Sequence, residues 1–166
     1  YYAGLLMSRQ RSALALEQLL QDFFGREVAV NQFVGAWYPL EEKVRSYVDD
    51  DPGPGVAPLG LGCAIGDELW DQQARVRLRL GPLTRKQFDG FLPRGSAYKA
   101  LRELTRAFGG DGMDFEVQLT LRREDVTPTV LGDGSQIRLG QGTWLKTRPM
   151  DRDPDDFDHV ADRAGH

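Results

Sequence analysis

The clearest fold signal in this chain is the stretch FEVQLTLR, residues 115–122, in which apolar and polar side chains alternate. Successive side chains of a β-strand point to opposite faces, so this alternation predicts a strand with one face in the core. The stretch RVRLRL, residues 75–80, has the same period. It would place three aliphatic side chains on one face and three guanidinium groups on the other, namely Val76, Leu78 and Leu80 against Arg75, Arg77 and Arg79.

Around these strands, apolar spacing and capping residues predict three amphipathic helices. The first begins at the N-cap Ser12 and ends at Gly25, with leucines at helical spacing between them. The second begins at Thr84, which can form a capping box with Gln87. The third is expected to begin at Ser96 as its N-cap. Three helices are thus expected to pack their apolar faces on the strands.

The order of these elements predicts an α+β fold with small, mainly antiparallel sheets and packed amphipathic helices, because the long apolar runs of a buried parallel sheet are missing. Residues 12–25 and 96–109 share Ser, Leu, Phe and Gly at identical spacing, and a strand follows each. This similarity predicts two related helix–strand lobes, residues 1–83 and 84–150, then a loose acidic tail at residues 151–166. Chance recurrence of capped helices explains the similarity equally well.

Composition excludes several classes of function. The net charge of −4 argues against nucleic-acid binding, which needs a concentrated basic face. No apolar run is long enough to insert directly into a membrane. The single cysteine, Cys63, cannot form an internal disulfide, and no basic region precedes the apolar N-terminal residues as in a signal peptide. We expect a cytoplasmic protein that is a fragment of a longer one.

No catalytic set is visible in the sequence, so we expect no enzyme, cofactor or metal. Both histidines, His159 and His166, lie in the acidic tail, which removes the usual base for a nucleophilic serine or Cys63. An alternative is a small-ligand or nucleotide site in the turn Gly60–Gly66, although no strand precedes it. Another is calcium binding by aspartates between Asp151 and Asp162, although the glycine that such a loop needs is missing.

Two features are candidate protein-binding sites. The first is the arginine stripe of residues 75–79, which could pair with an acidic partner surface or be an ordinary solvated face. The second is a long Asp/Pro/Gly loop at residues 49–60, and loops of this length usually have a function or are disordered. Its candidate contact residues are Asp49, Asp50, Asp51, Pro52, Pro54 and Val56. We expect Trp37, Trp70 and Trp144 to lie in the core.

Short pieces of the sequence, in preserved order, resemble the TssG family (also called ImpH or VasB) of type VI secretion baseplate proteins. The pieces are YAGLL (2–6), RS (11–12), LLQDFFG (19–25), QFVGAW (32–37), LG (61–62), LWDQQ (69–73), RLRLGPL (77–83), Phe88, FLPRG (91–95), FEVQL (115–119), LG (139–140) and WL (144–145). The loop at residues 49–58 and the charged tail depart from the family pattern.

The resemblance implies that this chain is the C-terminal part of a structural subunit without catalytic residues. Proteins of this family join two copies of TssF in a wedge, and their extended segments contact TssK trimers. Wedges surround the spike hub in a membrane-docked cytoplasmic baseplate from which the contractile sheath grows. The expected partners are therefore TssF, TssK and other baseplate and spike-hub components, with no nucleic acid.

Overall fold

The computed structural model describes residues 11–42, 45, 66–73, 75–110, 113–128, 144 and 150–160, the last six as backbone alone. The described helices are α1 (Ala13–Phe24), α2 (Arg85–Phe91) and α3 (Ser96–Gly109), with a short 3₁₀ turn at Arg123–Asp125. The strands are β1 (Val28–Asn31), β2 (Ala36–Pro39), β3 (Glu68–Asp71), β4 (Arg75–Leu83), β5 (Asp114–Leu121) and β6 (Asp155–Val160).

The main sheet has four strands in the order β1-β4-β5-β6. The outer pairs β1–β4 and β5–β6 are antiparallel, as is the separate pair β2–β3, whereas the central pair β4–β5 is parallel. The central pair is parallel because α2 and α3 lie between its strands in the sequence and return the chain to the same sheet end. The predicted α+β class with mainly antiparallel sheets is confirmed.

The core lies between one face of the main sheet and the helices. The alternation read from the sequence is correct, since Val76, Leu78 and Leu80 of β4 are at most 6% exposed. They form one cluster with apolar residues of α1, α2, α3 and β5. Residues from both predicted lobes thus share one sheet and one core, while the proposed relatedness of the two lobes stays a prediction.

Local capping explains where the helices begin and end. Ser12 Oγ accepts a hydrogen bond from the Ala15 N–H at 3.2 Å, and Gly25 ends α1 in the left-handed conformation with φ of 59°. Thr84 and Gln87 form the expected capping box. The Ser96 N-cap prediction is wrong: Gly95 is the N-cap and Ser96 the first residue of α3.

The α2–α3 turn explains this shift. The chain passes so close to the Gly90 carbonyl that a Cβ at position 95 would overlap with it. Gly95 also donates a hydrogen bond from its N–H to the Leu92 carbonyl at 2.7 Å, in an extended conformation that suits an N-cap. The N-cap is therefore Gly95, one residue before the serine that was expected to have this role.

The acidic C-terminal segment is not loose over residues 155–160. These residues form β6, which pairs antiparallel with β5. The expectation of a loose tail was wrong there because strand pairing uses backbone groups and needs no apolar side chains. The segment before it is also fixed, since Asp153 Oδ1 accepts a hydrogen bond from the Arg123 N–H at 2.9 Å.

Candidate protein-binding surfaces

The outer face of the main sheet is polar, and its centre is a group of three ionised side chains. Glu116 of β5 lies opposite Arg77 of β4 and is only 4% exposed. One Arg77 guanidinium nitrogen donates to Glu116 Oε1 at 3.0 Å, and Arg75 approaches the other carboxylate oxygen at 3.9 Å. Two of the three predicted stripe arginines thus compensate a buried carboxylate of the same chain.

Arg79 differs from the other two arginines of the stripe because its side chain is exposed. It lies opposite Gln118 on β5 and Ala29 on β1. The three arginines share one sheet face, as the alternation predicts. Arg79 is the member of the stripe that is most accessible to a partner, while the charges of Arg75 and Arg77 are directed to Glu116.

The separate hairpin β2–β3 is attached to this polar face through Tyr38. The Tyr38 hydroxyl donates to Asp114 Oδ2 at 2.7 Å, and the Arg75 guanidinium carbon lies 5.9 Å from the Tyr38 ring centroid. Burial raises the pKa of Tyr38 above its ordinary value, the hydrogen bond to Asp114 raises it further, and Arg75 opposes both effects. This contact holds the hairpin beside the β4–β5 pair.

The opposite face of the hairpin presents two tryptophans to solvent. Trp37 and Trp70 are directly paired across the strands, with ring centroids 5.3 Å apart and ring planes at 62°. They are 57% and 50% exposed, so the expectation of core positions is wrong for both. Trp144 is 6% exposed and packs on Phe88, as a core residue does. We call Trp37, Pro39, Glu68 and Trp70, which share this face by strand register, the Trp face.

The backbone before the hairpin fixes the position of the Trp70 ring. A Cβ at Gly35 would overlap with this ring, so the glycine allows the indole to lie directly on the main chain. Phe33, two residues earlier, is 61% exposed and has a positive φ of 60°, which is uncommon for a residue with a side chain. Both positions belong to the short segment that leads from β1 into the hairpin.

Acidic side chains are frequent in the hairpin and at its end, and one of them, Glu68, lies on the Trp face. Residues 32–42 and 66–73 contain no Lys or Arg. They contain five carboxylates, of which all but Asp71 are exposed: Glu41, Glu42, Asp67, Glu68 and Asp71. The hairpin is therefore an acidic region next to a sheet face that contains three arginines.

The long loop predicted from the sequence joins the two strands of this hairpin. Its candidate contact residues, Asp49 through Val56, lie outside the described residues, as do Gly60–Ile65 of the proposed ligand-binding turn. The base of the loop is closed by a hydrogen bond from the Leu40 N–H to the Asp67 carbonyl at 2.8 Å. The loop therefore starts and ends beside the aromatic and acidic surface.

Sequence analysis missed the Trp face for a physical reason. Trp37 and Trp70 lie in short strands that are far apart in the chain, and neither strand has enough alternating residues to define a buried face. One signal was available: the stretches WYP and ELW both combine an aromatic residue with turn or charged residues. Pairing them requires the register, which the sequence does not reveal.

The described residues offer little for ligand chemistry. A pocket of about 100 Å³ between α1 and the end of α3, lined by Leu16 and Phe108 among others, is smaller than the roughly 300 Å³ of typical ligand sites. An open cleft of about 530 Å³ near Pro82 contains arginines and carboxylates in mixture. Within the described ranges, no group of three or more His, Cys, Asp or Glu side chains could hold a metal ion, and no helix is long and apolar enough to cross a membrane.

Two kinds of comparison with known proteins find matches. Residues 1–146 match the family described as "Type VI secretion, TssG". A comparison with curated protein sequences finds no match.

Two solved structures have the same fold. One is a type VI secretion TssK-TssF-TssG baseplate subcomplex, with a TM-score of 0.61 and 24% identity over 84% of this chain and 55% of that chain. The other is a type VI secretion baseplate complex, with a TM-score of 0.62 and 21% identity over 99% of this chain and 47% of that chain. This chain thus spans about half the length of the solved chains it matches. Because the family match covers most of its residues, the chain belongs to the TssG family of type VI secretion.

Proposed function

We propose that this chain is part of a non-enzymatic structural subunit of a type VI secretion baseplate, where it binds TssF copies, TssK trimers and neighbouring spike-hub components. The family match over residues 1–146 is the observation on which this proposal depends. The shared fold with chains of two baseplate structures supports it. The proposed place of action is a cytoplasmic baseplate docked on a membrane.

The surfaces of the chain suit a binding role. An exposed arginine on one sheet face, a long loop and an exposed aromatic pair are features through which a structural subunit contacts several partners. Arg79 and the loop residues Asp49, Asp50, Asp51, Pro52, Pro54 and Val56 are our candidate contacts from the sequence. Arg75 and Arg77 are also candidate contacts, because they lie on the same sheet face as Arg79. Their charges, however, are already paired with Glu116.

The direct test of this function is co-expression of the full-length protein with TssF and TssK from the same source, followed by size-exclusion chromatography and mass measurement. A stable complex that contains all three proteins is the expected result. A monomer in the presence of both partners would contradict the proposed function.

Charge reversal at Arg79 tests the arginine face. Arg79→Glu should change the melting temperature only slightly, because interactions of an exposed charged side chain contribute little to stability. If an acidic partner surface contacts it, binding should weaken by about tenfold or more, measured by titration of the purified partner at low salt. Unchanged affinity would remove Arg79 from the interface.

Arg77→Glu is the matched comparison in the same strand. It places a second carboxylate against the buried Glu116 and should destabilise the fold by about 3 kcal/mol, at the low end for a broken buried pair because the Arg77 side chain is 32% exposed. If Arg77→Glu loses binding while Arg79→Glu does not, and the melting temperature of Arg77→Glu is lower, then the loss of binding results from a destabilised fold and not from a lost contact.

A further inference from the structure

We infer that the Trp face of the β2–β3 hairpin is a docking surface for a partner protein that presents an apolar cleft bordered by lysines or arginines. The inference rests on the proposed function, since it assigns a contact to this subunit, and it concerns residues outside the arginine stripe and the long loop. Its basis is the combination of an exposed aromatic pair, a hairpin held to the main sheet, and an excess of exposed carboxylates over basic groups next to the pair.

The exposure of the aromatic pair is the first observation. Tryptophans usually bury most of their surface in the core of the protein, and Trp144 does so here. Trp37 and Trp70 instead leave half or more of their surface in water, although they pack edge to face on each other. Two adjacent exposed indoles present a large apolar area, and Trp is enriched among the residues that dominate the energy of protein interfaces.

The second observation is that contacts within the chain restrict the Trp70 ring and the hairpin backbone before any partner binds. The Trp70 ring lies on the Gly35 backbone, and the reverse face of the hairpin is fixed to the main sheet by the Tyr38–Asp114 hydrogen bond. Ordering side chains on binding costs free energy, so a surface whose rings are already fixed loses less on association. A fixed aromatic surface is therefore better suited to binding than a mobile one.

The charges identify the chemistry of the partner. Glu68 lies on the Trp face itself, and Glu41, Glu42 and Asp67 are exposed at the end of the hairpin. One described base lies near them, Arg45, whose Nε donates to the Leu40 carbonyl at 2.9 Å, so the exposed carboxylates of this region outnumber its basic groups. Interfaces match potentials of opposite sign, so the complementary surface has basic residues around an apolar cleft.

Other occupants fit this surface less well. A second copy of the same hairpin would bring acidic groups against acidic groups, which is unfavourable. An anionic membrane surface would repel the same carboxylates, although tryptophans favour membrane interfaces. Charge complementarity therefore favours a basic partner protein over both.

The test uses the full-length protein with its co-expressed TssF and TssK. The double variant Trp37→Ser/Trp70→Ser should weaken assembly by roughly 30-fold or more, as expected when interface tryptophans are removed. Glu68→Lys should weaken assembly as well, and the effect should shrink at high salt. The matched controls are Leu14→Ser, an apolar residue of α1 that is 63% exposed, and Glu103→Lys on α3, and both should assemble like the wild type.

A second measurement guards against misfolding of the double variant. In the wild-type complex, hydrogen exchange followed by mass spectrometry should show protection of peptides that contain residues 36–39 and 68–71, relative to the free chain. Assembly of the hairpin variants with wild-type affinity, or unprotected hairpin peptides in the complex, would overturn the inference while leaving the proposed function intact. Self-association through the hairpin or binding to anionic vesicles would also overturn it. Failure of the wild-type chain to assemble would instead overturn the proposed function, and the docking inference with it.

Discussion

At the scale of single residues, Tyr38 links the hairpin to the main sheet through a bond whose strength depends on pH. Its phenolic proton is donated to Asp114, and its pKa is raised above the ordinary value of 10.0, first by burial and then by this bond. A raised pKa means that the folded state holds the proton more tightly than the unfolded state. The stabilisation is therefore complete below about pH 10 and is lost as the pH rises through the pKa of the folded state.

Replacing Tyr38 by Phe removes this hydrogen bond with little change in shape. We expect the free energy of unfolding to fall by about 1 kcal/mol at pH 8, the usual net contribution of one hydrogen bond. The difference between the two proteins should be smaller at pH 11, because above about pH 10 the unfolded wild type gives up a Tyr38 proton that the folded state retains. Urea unfolding at both pH values measures this, and a difference that stays constant would show that the bond does not contribute in this way.

At the scale of elements, α1 protects the edge of the main sheet. β1 is an edge strand, and such strands expose backbone groups that can pair with other chains. Glu17 Oε2 accepts a hydrogen bond from the Val30 N–H at 3.1 Å, and Gln21 Nε2 donates one to the Val28 carbonyl at 2.7 Å. Glu17 and Gln21 are four residues apart, so they lie on the same face of α1. One helix turn thus satisfies backbone groups of the edge strand.

The double variant Glu17→Ala/Gln21→Ala should expose this edge. We expect a loss of about 2 kcal/mol, roughly 1 kcal/mol for each bond, and self-association that increases with protein concentration. Sedimentation velocity over a range of concentrations measures the second effect. Gln18→Ala, at an exposed position of the same helix, is the control. A double variant that stays monomeric would show that these side chains do not protect the edge.

The elements also show what the sequence can predict. The alternation in β4 and the spacing in α1 and α3 are local patterns, and the structure confirms them. The alternation in β5 correctly predicts a strand, but the polar face of this strand is buried as well as the apolar one. The parallel β4–β5 pairing and the Trp37–Trp70 pair depend on register between distant segments, which local patterns do not contain. The buried charge of Glu116 is a further case, since only the register shows that Arg77 lies opposite it.

At the scale of the whole molecule, residues 155–160 form the fourth strand of the main sheet, although in the sequence they lie outside both predicted lobes. β6 covers the outer edge of β5, the strand whose residues are buried except at Gln118. The preceding segment is fixed as well, because the Leu121 N–H donates to the Pro154 carbonyl at 3.3 Å and Arg123 contacts Asp151 and Asp153. An acidic segment without an apolar pattern thus protects a strand that is buried on both faces, as its backbone groups alone suffice for pairing.

A chain that ends after Pro154 tests this role. Without β6, the outer backbone groups of β5 lose their partners, each hydrogen bond being worth roughly 1 kcal/mol, so the melting temperature should fall clearly. The uncovered edge should also cause aggregation, measured by light scattering. A chain that ends after Val160 keeps β6 and is the matched control, which should melt at a higher temperature than the chain that ends after Pro154. Equal melting temperatures of the two truncated chains would show that the sheet is stable without β6 and that the acidic segment has another purpose.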